Sequence, residues 1–590
     1  MSTAEATLQA REPDARYLAA VQPALVRQFE LLATAPGGVA RLRDLIQTLA
    51  VRGALAKQEP TDEPASTLLA RLLDLGADGR NRGGIQFAKL EFLDAPYELP
   101  ASWAWARLGD LVENMGSGWS PACDEGQRSE PTRWAILRTT AVQVMEYRPQ
   151  EHKALPHKLS ARPDIEVKSG DILVTRAGPM NRVGISCWVD ETPPRLMLSD
   201  KIVRFHLIGD ELLPAFVVLA LNAGWTRAQL DEAKTGMAAS QVNVSQSNLR
   251  SLVVPVCSKS EQARIVARVD ELMRLCDALE AQGRLEAEQH AGLLGTLLGT
   301  LTNSSTPDEL AANWRRVADH FDLLLDRPEA VDALEQTILQ LAVRGLLVPQ
   351  DPSDESASVL LARVRAEKDQ LAASGKIKRE KPLSVVDTDS ASFALPHGWA
   401  WARFPELGEF GRGKSKHRPR NDPALFSPPI YPLVQTGEVA RAKGTILDYH
   451  SKYSELGLAQ SRLWPAGTLC ITIAANIADA AVLGFDACFP DSVVGFVPAK
   501  CLGGTAYFHA FLETAKTELI RFAPATAQKN INLEVLESLL VPLPPKREVE
   551  RIVARVTELR RLCTTLRQRL AASQTTQSHL ADALVEATIA

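Results

Sequence analysis

Apolar residues recur at intervals of three and four in two stretches of the chain, residues 39–55 and 331–347. This spacing places them on one face of an α-helix. The second stretch carries Val331, Leu334, Ile338 and Leu341. Gly345 and then Pro349 follow, and both residue types commonly end helices. The pattern predicts one helix in each stretch, the second ending near Gly345.

The pattern changes after Trp103 and again after Trp399, where short runs rich in β-branched residues are separated by Gly, Pro and Asp. Examples are DILVTRAG at 171–178 and GTLCITIA at 467–474. Such runs are typical of strands joined by turns. Each region is therefore predicted to fold as a compact mixed α/β globule of roughly 150 residues.

A long helix is predicted after each globule. Ser258 and Glu261 have the spacing of a capping box, in which each residue caps a backbone N–H of the other. In the second copy, Pro544 and Pro545 stand where a helix begins. A helix from about 261 to 300 would be some 60 Å long, too long for one globule to cover.

Both predicted long helices carry a narrow apolar stripe with alternating spacings of four and three. The stripes comprise Ile265, Val269, Leu272, Cys276 and Leu279 in the first, and Ile552, Val556, Leu559, Cys563, Leu566 and Leu570 in the second. We expect the two stripes to pair as an antiparallel coiled coil about a pseudo-twofold axis, which would hold the globules at a fixed separation. The alternative is that each helix packs on its own globule.

The chain contains two tandem copies of one unit. Residues 29–72 align without a gap to 321–364, with 23 identical residues in 44 positions. LPASWAWARLGDL at 99–111 matches LPHGWAWARFPEL at 395–407. The predicted fold class is therefore mixed α/β in two tandem pseudo-symmetric repeats, each with a globule and long helices.

Composition is that of a soluble globular protein, with 45% apolar and 23% charged residues and a formal net charge of −5. Eight cysteines occur without a C-x-x-C pair, which argues against a disulfide framework or a zinc ribbon and fits a reducing cytoplasm. The N-terminus lacks a signal-peptide pattern, and no apolar run approaches the roughly 18 residues of a membrane span. We expect a cytoplasmic protein without membrane association, metal or cofactor.

Four motifs in order resemble one known family. They are WAWARLGDL at 103–111, GDILVTRAG at 170–178, LAVRGLLVPQDPSDE at 341–355 and VPLPPK at 541–546. Together they resemble the specificity subunit of type I restriction–modification enzymes, over nearly the whole chain. The resemblance implies that each globule is a target-recognition domain that reads half of a split double-stranded DNA site. It also implies docking of two methyltransferase subunits and, through that core, of restriction subunits that translocate DNA, while catalysis and cofactors belong to the partner chains.

The resemblance divides the chain into five regions. They are an N-terminal helical region 1–98, a first target-recognition domain 99–257, a central helical region 258–394, a second target-recognition domain 395–544 and a C-terminal helix 545–590.

Neither globule is basic overall, since Lys and Arg equal Asp and Glu at 17 each over 100–255 and number 14 against 13 over 396–542. Any DNA-binding surface must therefore be local. In the second globule, ten residues rich in Gly and Pro carry Arg412, Lys414, Lys416, Arg418 and Arg420. We call residues 411–420 the basic loop, and we expect it to contact phosphates or guanine edges.

The first globule is acidic at the equivalent place, around Asp124 and Glu125. Its candidate DNA contacts are Arg133, Arg138, Thr139, Arg176 and Arg182. Candidates elsewhere in the second globule are Gln435 and Thr436, which align with Arg138 and Thr139, together with Gln528 and Lys529. Trp103, Trp105, Trp399 and Trp401 could stack on bases, but repeated aromatic residues at a domain entrance favour core packing.

Two other classes of function remain as alternatives. Gly408–Ser415 matches the sequence motif of a phosphate-binding P-loop, which would indicate a nucleotide-dependent enzyme. A P-loop must run directly into a helix, whereas prolines follow here at 419 and 423. The runner-up is thus a stand-alone enzyme using a nucleotide or S-adenosylmethionine, and a coiled-coil scaffold that binds no DNA is the third reading.

Overall fold

A computed structural model of the chain describes residues 32–77, 95, 97–123, 126–375, 393–416, 419–442, 444–521 and 531–589. Its α-helices are α1 Gly38–Val51, α2 Ala65–Ala77, α3 Leu108–Leu111, α4 Pro214–Asn222, α5 Gly224–Glu232, α6 Gln246–Ser251, α7 Lys259–Thr302, α8 Pro307–Asp319, α9 Phe321–Leu324, α10 Pro328–Val343, α11 Ala357–Ala373, α12 Phe404–Leu407, α13 Thr436–Arg441, α14 Glu455–Ala459, α15 Ala506–Arg521, α16 Leu533–Ser538 and α17 Lys546–Ile589. None of these helices is both long enough and apolar enough to cross a membrane.

The strands of the first half are β1 Ala104–Arg107, β2 Val112–Ser117, β3 Ala135–Leu137, β4 His152–Ala154, β5 Ile172–Thr175, β6 Ala177–Gly178, β7 Ser186–Trp188, β8 Leu196–Met197, β9 Ile202–Leu207, β10 Thr235–Ala238, β11 Gln241–Asn243 and β12 Val253–Val256. Those of the second half are β13 Ala400–Arg403, β14 Gly408–Arg412, β15 Tyr431–Leu433, β16 Thr445–Ile446, β17 Ser451–Tyr453, β18 Leu463–Trp464, β19 Leu469–Thr472, β20 Ala480–Leu483, β21 Ala487–Cys488, β22 Val493–Pro498 and β23 Leu540–Leu543. The predicted mixed α/β class is confirmed.

The chain forms two compact units. Unit 1 comprises Met1–Leu285 with Gln574–Ala590, and unit 2 comprises Glu286–Ser573. Each unit thus holds one globule, one end of α7 and one end of α17. The helices are shared in this way because each is 44 residues long, about 66 Å at 1.5 Å per residue.

The globule of unit 1 is built on a four-stranded sheet in the order β2-β9-β5-β7. Two smaller sheets, β4-β3-β8 and β10-β11-β6, lie beside it, and β1 pairs with β12 where the chain enters and leaves. β5 is buried along its whole length, as its continuous apolar run requires. One face of the sheet packs in a cluster that includes Phe205 and Leu221, and Leu173 faces a second cluster.

The globule of unit 2 repeats this plan with larger sheets. A five-stranded sheet has the order β14-β22-β19-β20-β16, a four-stranded sheet the order β17-β15-β21-β18, and β13 pairs with β23 at the entrance. Its core is richer in aromatic rings, with Phe404 lying 5.0 Å from Phe496 and 6.3 Å from Phe508 between ring centroids. The same plan is therefore filled by different side chains.

Helices α1 and α10 are each followed by a glycine in the left-handed region, and α10 ends near Gly345 as predicted. Gly53 has φ +72° and Gly345 has φ +71°, a conformation that strains any residue with a Cβ. Each glycine also lies under the entrance tryptophan of its unit: a Cβ on Gly345 would come within 2.5 Å of Pro396 and 2.9 Å of Trp399. The glycine therefore ends the helix and lets the globule approach it closely.

Trp103 and Trp399 are buried, at 7% and 8% exposure, so their predicted core role is confirmed. Trp105 and Trp401 are half-buried and pack against other aromatic rings of the entrance. Ser258 caps α7 by accepting the backbone N–H of Glu261 at 3.1 Å, as the capping-box spacing predicted. The side chain of Glu261 instead bonds to Trp103 and Gln58.

The predicted antiparallel pairing of the two long helices is confirmed, and within each unit the apolar stripe of one helix packs with the late turns of the other. In unit 1, the stripe that begins at Ile265 shares one apolar cluster with α1, Phe216 and Ala581 near the end of α17. In unit 2, the late α7 residue Leu298 shares a cluster with α10 and Cys563. In an antiparallel pair the start of one helix faces the end of the other, which is why each stripe meets residues near the end of the partner helix. Contact with Phe216 shows that α7 also packs on its own globule, which was the alternative.

Candidate nucleic-acid interface

The first described part of the basic loop is held by its backbone and leaves its cationic side chains exposed. The N–H of Lys414 donates to the carbonyl of Phe489 at 3.2 Å, and the N–H of Lys416 donates to Oε1 of Gln460 at 2.7 Å. Gly413 makes this possible, because a Cβ there would lie 2.2 Å from the Phe489 carbonyl oxygen. The exposed side chains of Arg412, Lys414 and Lys416 form no ion pair among the described residues. Three cations are thus available to a polyanion.

The basic loop does not offer all five of its predicted cations equally. Arg420 donates to both carboxylate oxygens of Asp491 at 3.1 Å. Both side chains are about half exposed, so this ion pair is weak and could exchange with a phosphate. Arg418 lies outside the described residues.

The equivalent loop of unit 1 is anchored in the same way. Gly118 lies against the carbonyl of Leu198, to which the N–H of Trp119 donates at 2.9 Å. Ser120 then bonds to Asp200, as Arg420 bonds to Asp491 in the other globule. One backbone device therefore presents different side chains in the two globules. Residues 124 and 125, the acidic pair named above, lie outside the described residues.

The P-loop interpretation finds no support in this geometry. Gly408–Arg412 is a strand, and among the described residues after Ser415 the first helical turn is a short 3-10 turn at Pro423–Leu425. A helix N-terminus directly after the lysine, which a P-loop needs to hold phosphates, is therefore absent from the described part of this segment.

The aligned pairs Arg138-Thr139 and Gln435-Thr436 occupy equivalent places. Each pair follows a short strand, β3 or β15, and begins a short helical segment. All four side chains are at least partly exposed. The ends of equivalent strands thus offer a guanidinium in one globule and an amide in the other, and both groups can form paired hydrogen bonds with bases.

Arg182 is brought next to this pair but is bonded internally. Its guanidinium donates to Oε1 of Gln143 at 3.0 Å and to the carbonyls of Thr139 and Val142 at 2.9 and 2.7 Å. Burial lowers the pKa of this guanidinium from its ordinary value, and nearby Arg148 lowers it further. Arg182 therefore fastens the turn that carries Thr139.

The remaining candidates fall in different places. Arg133 donates twice to the carbonyl of Leu155, at 3.1 and 2.9 Å, so it ties two segments of the globule together. Arg176 is half-buried at the start of the loop that leads to Arg182. Gln528 and Lys529 lie outside the described residues.

Sequence reasoning missed a stacked pair beside the loop of unit 1. The guanidinium of Arg162 lies 4.2 Å from the ring centroid of Trp119, the residue that follows Gly118. Stacking of this kind holds the arginine over the ring face. The sequence does show a tryptophan, Trp119, at the place that Lys414 has in the other globule. Residue 162 is too far along the chain for spacing to reveal that it contacts this ring.

Comparison with known proteins identifies the family. The model of the type I restriction modification DNA specificity domain matches residues 396–573. The type I restriction enzyme EcoAI specificity subunit of Escherichia coli is 30% identical over 584 residues, covering 94% of each chain. The EcoEI specificity subunit of Escherichia coli is 42% identical over 269 residues, and that match spans 45% of each chain.

Solved structures give weaker likenesses. The HsdS subunit from Thermoanaerobacter tengcongensis is 17% identical, over 84% of this chain and 98% of that one, with a TM-score of 0.39. A structure described as the basis of complex assembly and conformational transition of the type I R-M system gives 17% identity, 84% and 99% coverage and a TM-score of 0.49. The match to EcoAI, which runs along 94% of both chains, is the one that decides the assignment: the chain belongs to the family of type I restriction enzyme specificity subunits.

Proposed function

We propose that this chain reads a bipartite, asymmetric double-stranded DNA site, with one half-site read by residues 99–257 and the other by residues 395–544. The observation that carries the proposal is the pair of equivalent loops. Gly118 and Gly413 fasten them to the same part of each globule, yet one presents Trp119 where the other presents Lys414. The two loops are fastened to their globules in the same way but present different side chains. Reading two half-sites of different sequence requires this combination.

As a specificity subunit, the chain is not the catalytic component of a restriction–modification enzyme. In the proposal, the helical regions 1–98, 258–394 and 545–590 dock two methyltransferase subunits, and restriction subunits join through that core in the cytoplasm. The repeat supports two partners, because the glycine-ended helix and the long helix each occur twice. Mass measurement of the reconstituted complex tests this, and a single methyltransferase per chain at saturation would overturn it.

The geometry ranks the proposed DNA contacts. Arg412, Lys414 and Lys416 come first in the second globule, because they are exposed and unpaired among the described residues. In the first globule Arg138 and Thr139 are proposed because of their place at the end of β3, with Gln435 and Thr436 as their counterparts after β15. Arg133, Arg182 and Arg420 rank lower because each already bonds within the protein.

Single-molecule sequencing of methylated bases tests the function in cells with and without this chain. The expected result is a methylated motif of two unlike half-sites separated by a spacer, present only with the chain. A continuous motif or a perfect palindrome would contradict the proposal. Binding of labelled ATP or S-adenosylmethionine by the purified chain would favour a stand-alone enzyme, and binding without any sequence preference would favour a scaffold.

A further inference from the structure

A buried carboxylate joins three distant segments in unit 1. Glu261, in the first turn of α7, is 1% exposed. Its carboxylate accepts the indole N–H of Trp103 at 3.0 Å and the side-chain amide of Gln58 at 2.5 Å. One turn later on α7, Arg264 is paired with Asp62. These five residues, Gln58, Asp62, Trp103, Glu261 and Arg264, form what we call the first junction.

Unit 2 contains the same arrangement. Glu548, in the first turn of α17, is 1% exposed and accepts the indole N–H of Trp399 at 3.0 Å and the amide of Gln350 at 2.6 Å. Arg551 is paired with Asp354 at 2.7 Å. These five residues form the second junction, so each side chain of the first junction has a chemically identical counterpart.

Each junction connects the parts whose relative placement matters for reading DNA. The glutamine and aspartate follow the glycine-ended helix α1 or α10, the tryptophan stands at the entrance strand of the globule, and the glutamate and arginine begin the long helix. The junction thus lies where the globule, the helical region and the long helix meet within one unit.

A contribution to stability does not by itself explain why each junction contains a buried carboxylate. Removing a carboxylate from water is costly unless its hydrogen bonds are replaced, and apolar side chains of similar size can stabilise a core as well or better. Hydrogen bonds differ from apolar contacts in being directional. Two directed bonds to one carboxylate, from different segments, restrict the angle at which the globule leaves the helix.

We propose that the two junctions are positioning elements that set the spacer length between the half-sites. The inference rests on the proposed function, since only a bipartite site has a spacer. Trp103 and Trp399 are positioning residues in this scheme: they act through the glutamate and touch no DNA.

The test uses Trp103→Phe in the full chain assembled with its methyltransferase subunits. Phenylalanine keeps a buried aromatic ring and removes the N–H that Glu261 accepts. Trp105→Phe is the matched control, because Trp105 lies two residues away on β1 and its indole N–H has no partner among the described residues. Gln58→Ala, at a half-buried site, is a second variant that removes the other bond to Glu261.

Affinity is measured on duplexes that carry the methylated motif with its own spacer or with one base pair more or fewer. We expect the preference for the natural spacer to fall about tenfold in Trp103→Phe and in Gln58→Ala, the equivalent of one hydrogen bond to a charged group. Preference for each half-site sequence should not change, and Trp105→Phe should match the wild type.

The outcomes separate the two proposals. If the wild type shows no spacer preference at all, the bipartite function itself fails. If the wild type prefers one spacer and both junction variants keep that preference, the positioning role is overturned, whatever happens to their melting temperatures. Trp399→Phe, with Trp401→Phe as its control, repeats the test in unit 2.

Discussion

Replacing Lys414 and Lys416 together with alanine removes two exposed cations from the basic loop. The fold should tolerate the change, because the contacts of both residues to Phe489 and Gln460 are made by backbone N–H groups that alanine keeps. Neither side chain forms an ion pair among the described residues. We therefore expect the free energy of unfolding to change by less than about 0.5 kcal/mol.

The effect on DNA binding follows from counterion release. Each cation that neutralises a phosphate contributes about 0.9 to the slope of log affinity against log salt, so two contribute about 1.8. Between 50 and 200 mM salt, the difference in affinity between wild type and variant should shrink about twelvefold. The loss should be similar on all sequences, whereas loss of a guanine contact would cost about 1–3 kcal/mol at a single base pair.

The assay is DNA affinity at several salt concentrations for the assembled complex. The matched control replaces Lys500 and Arg521 with alanine, which changes the net charge equally at two exposed positions of the second globule that lie outside the basic loop and outside the long helices. Methyltransferase assembly should survive the loop change, since no long helix is touched. If the Lys414/Lys416 variant keeps the wild-type slope and affinity, the basic loop is only solvated and the phosphate contacts lie elsewhere in the second globule.

Three further predictions concern residues inside the protein. Arg182→Ala should lower the free energy of unfolding by about 2–4 kcal/mol, since it frees two carbonyls and an amide, while Arg176→Ala should cost less than about 1 kcal/mol in urea titrations. Burial raises the pKa of the Glu261 carboxyl above 4.5, so its contribution to stability is present at low pH and lost as pH rises through the folded-state pKa. Unfolding measured from pH 4 to 8 should show that Glu261→Gln removes this component; an unchanged pH dependence would contradict it. Gly345→Ala should destabilise by more than Gly375→Ala, because both glycines have φ +71° but only Gly345 lies against other side chains; equal melting temperatures would refute this.

Much of the fold could be predicted from local pattern. The duplication, the helix end near Gly345, the strand-rich globules after the entrance tryptophans and the long helices all follow from spacing and residue type. Each depends on interactions between residues close in sequence or on identity between the two copies. The same is true of the capping bond from Ser258, which spans three residues.

The errors arose where the partner of a side chain is distant in sequence. The two apolar stripes were identified correctly, but the globule residue Phe216, which joins the stripe of α7, is too far along the chain for spacing to reveal it. Arg182 is a plausible DNA contact by residue type, yet three acceptors from residues 139–143 surround it in the folded globule. Glu261 was identified as a helix cap, whereas its carboxylate bonds to residues 158 and 203 positions away.

The amino-acid sequence determined that this chain is two copies of a helix-and-globule unit with divergent loops, because periodicity and repetition are carried by the order of residues. Tertiary structure decided which charges remain available. Arg412, Lys414 and Lys416 stay exposed while Arg182, Glu261 and Glu548 are bonded inside. The physical reason is that burial and hydrogen bonding are properties of the surroundings of a side chain, and folding assembles those surroundings from segments that lie far apart along the chain.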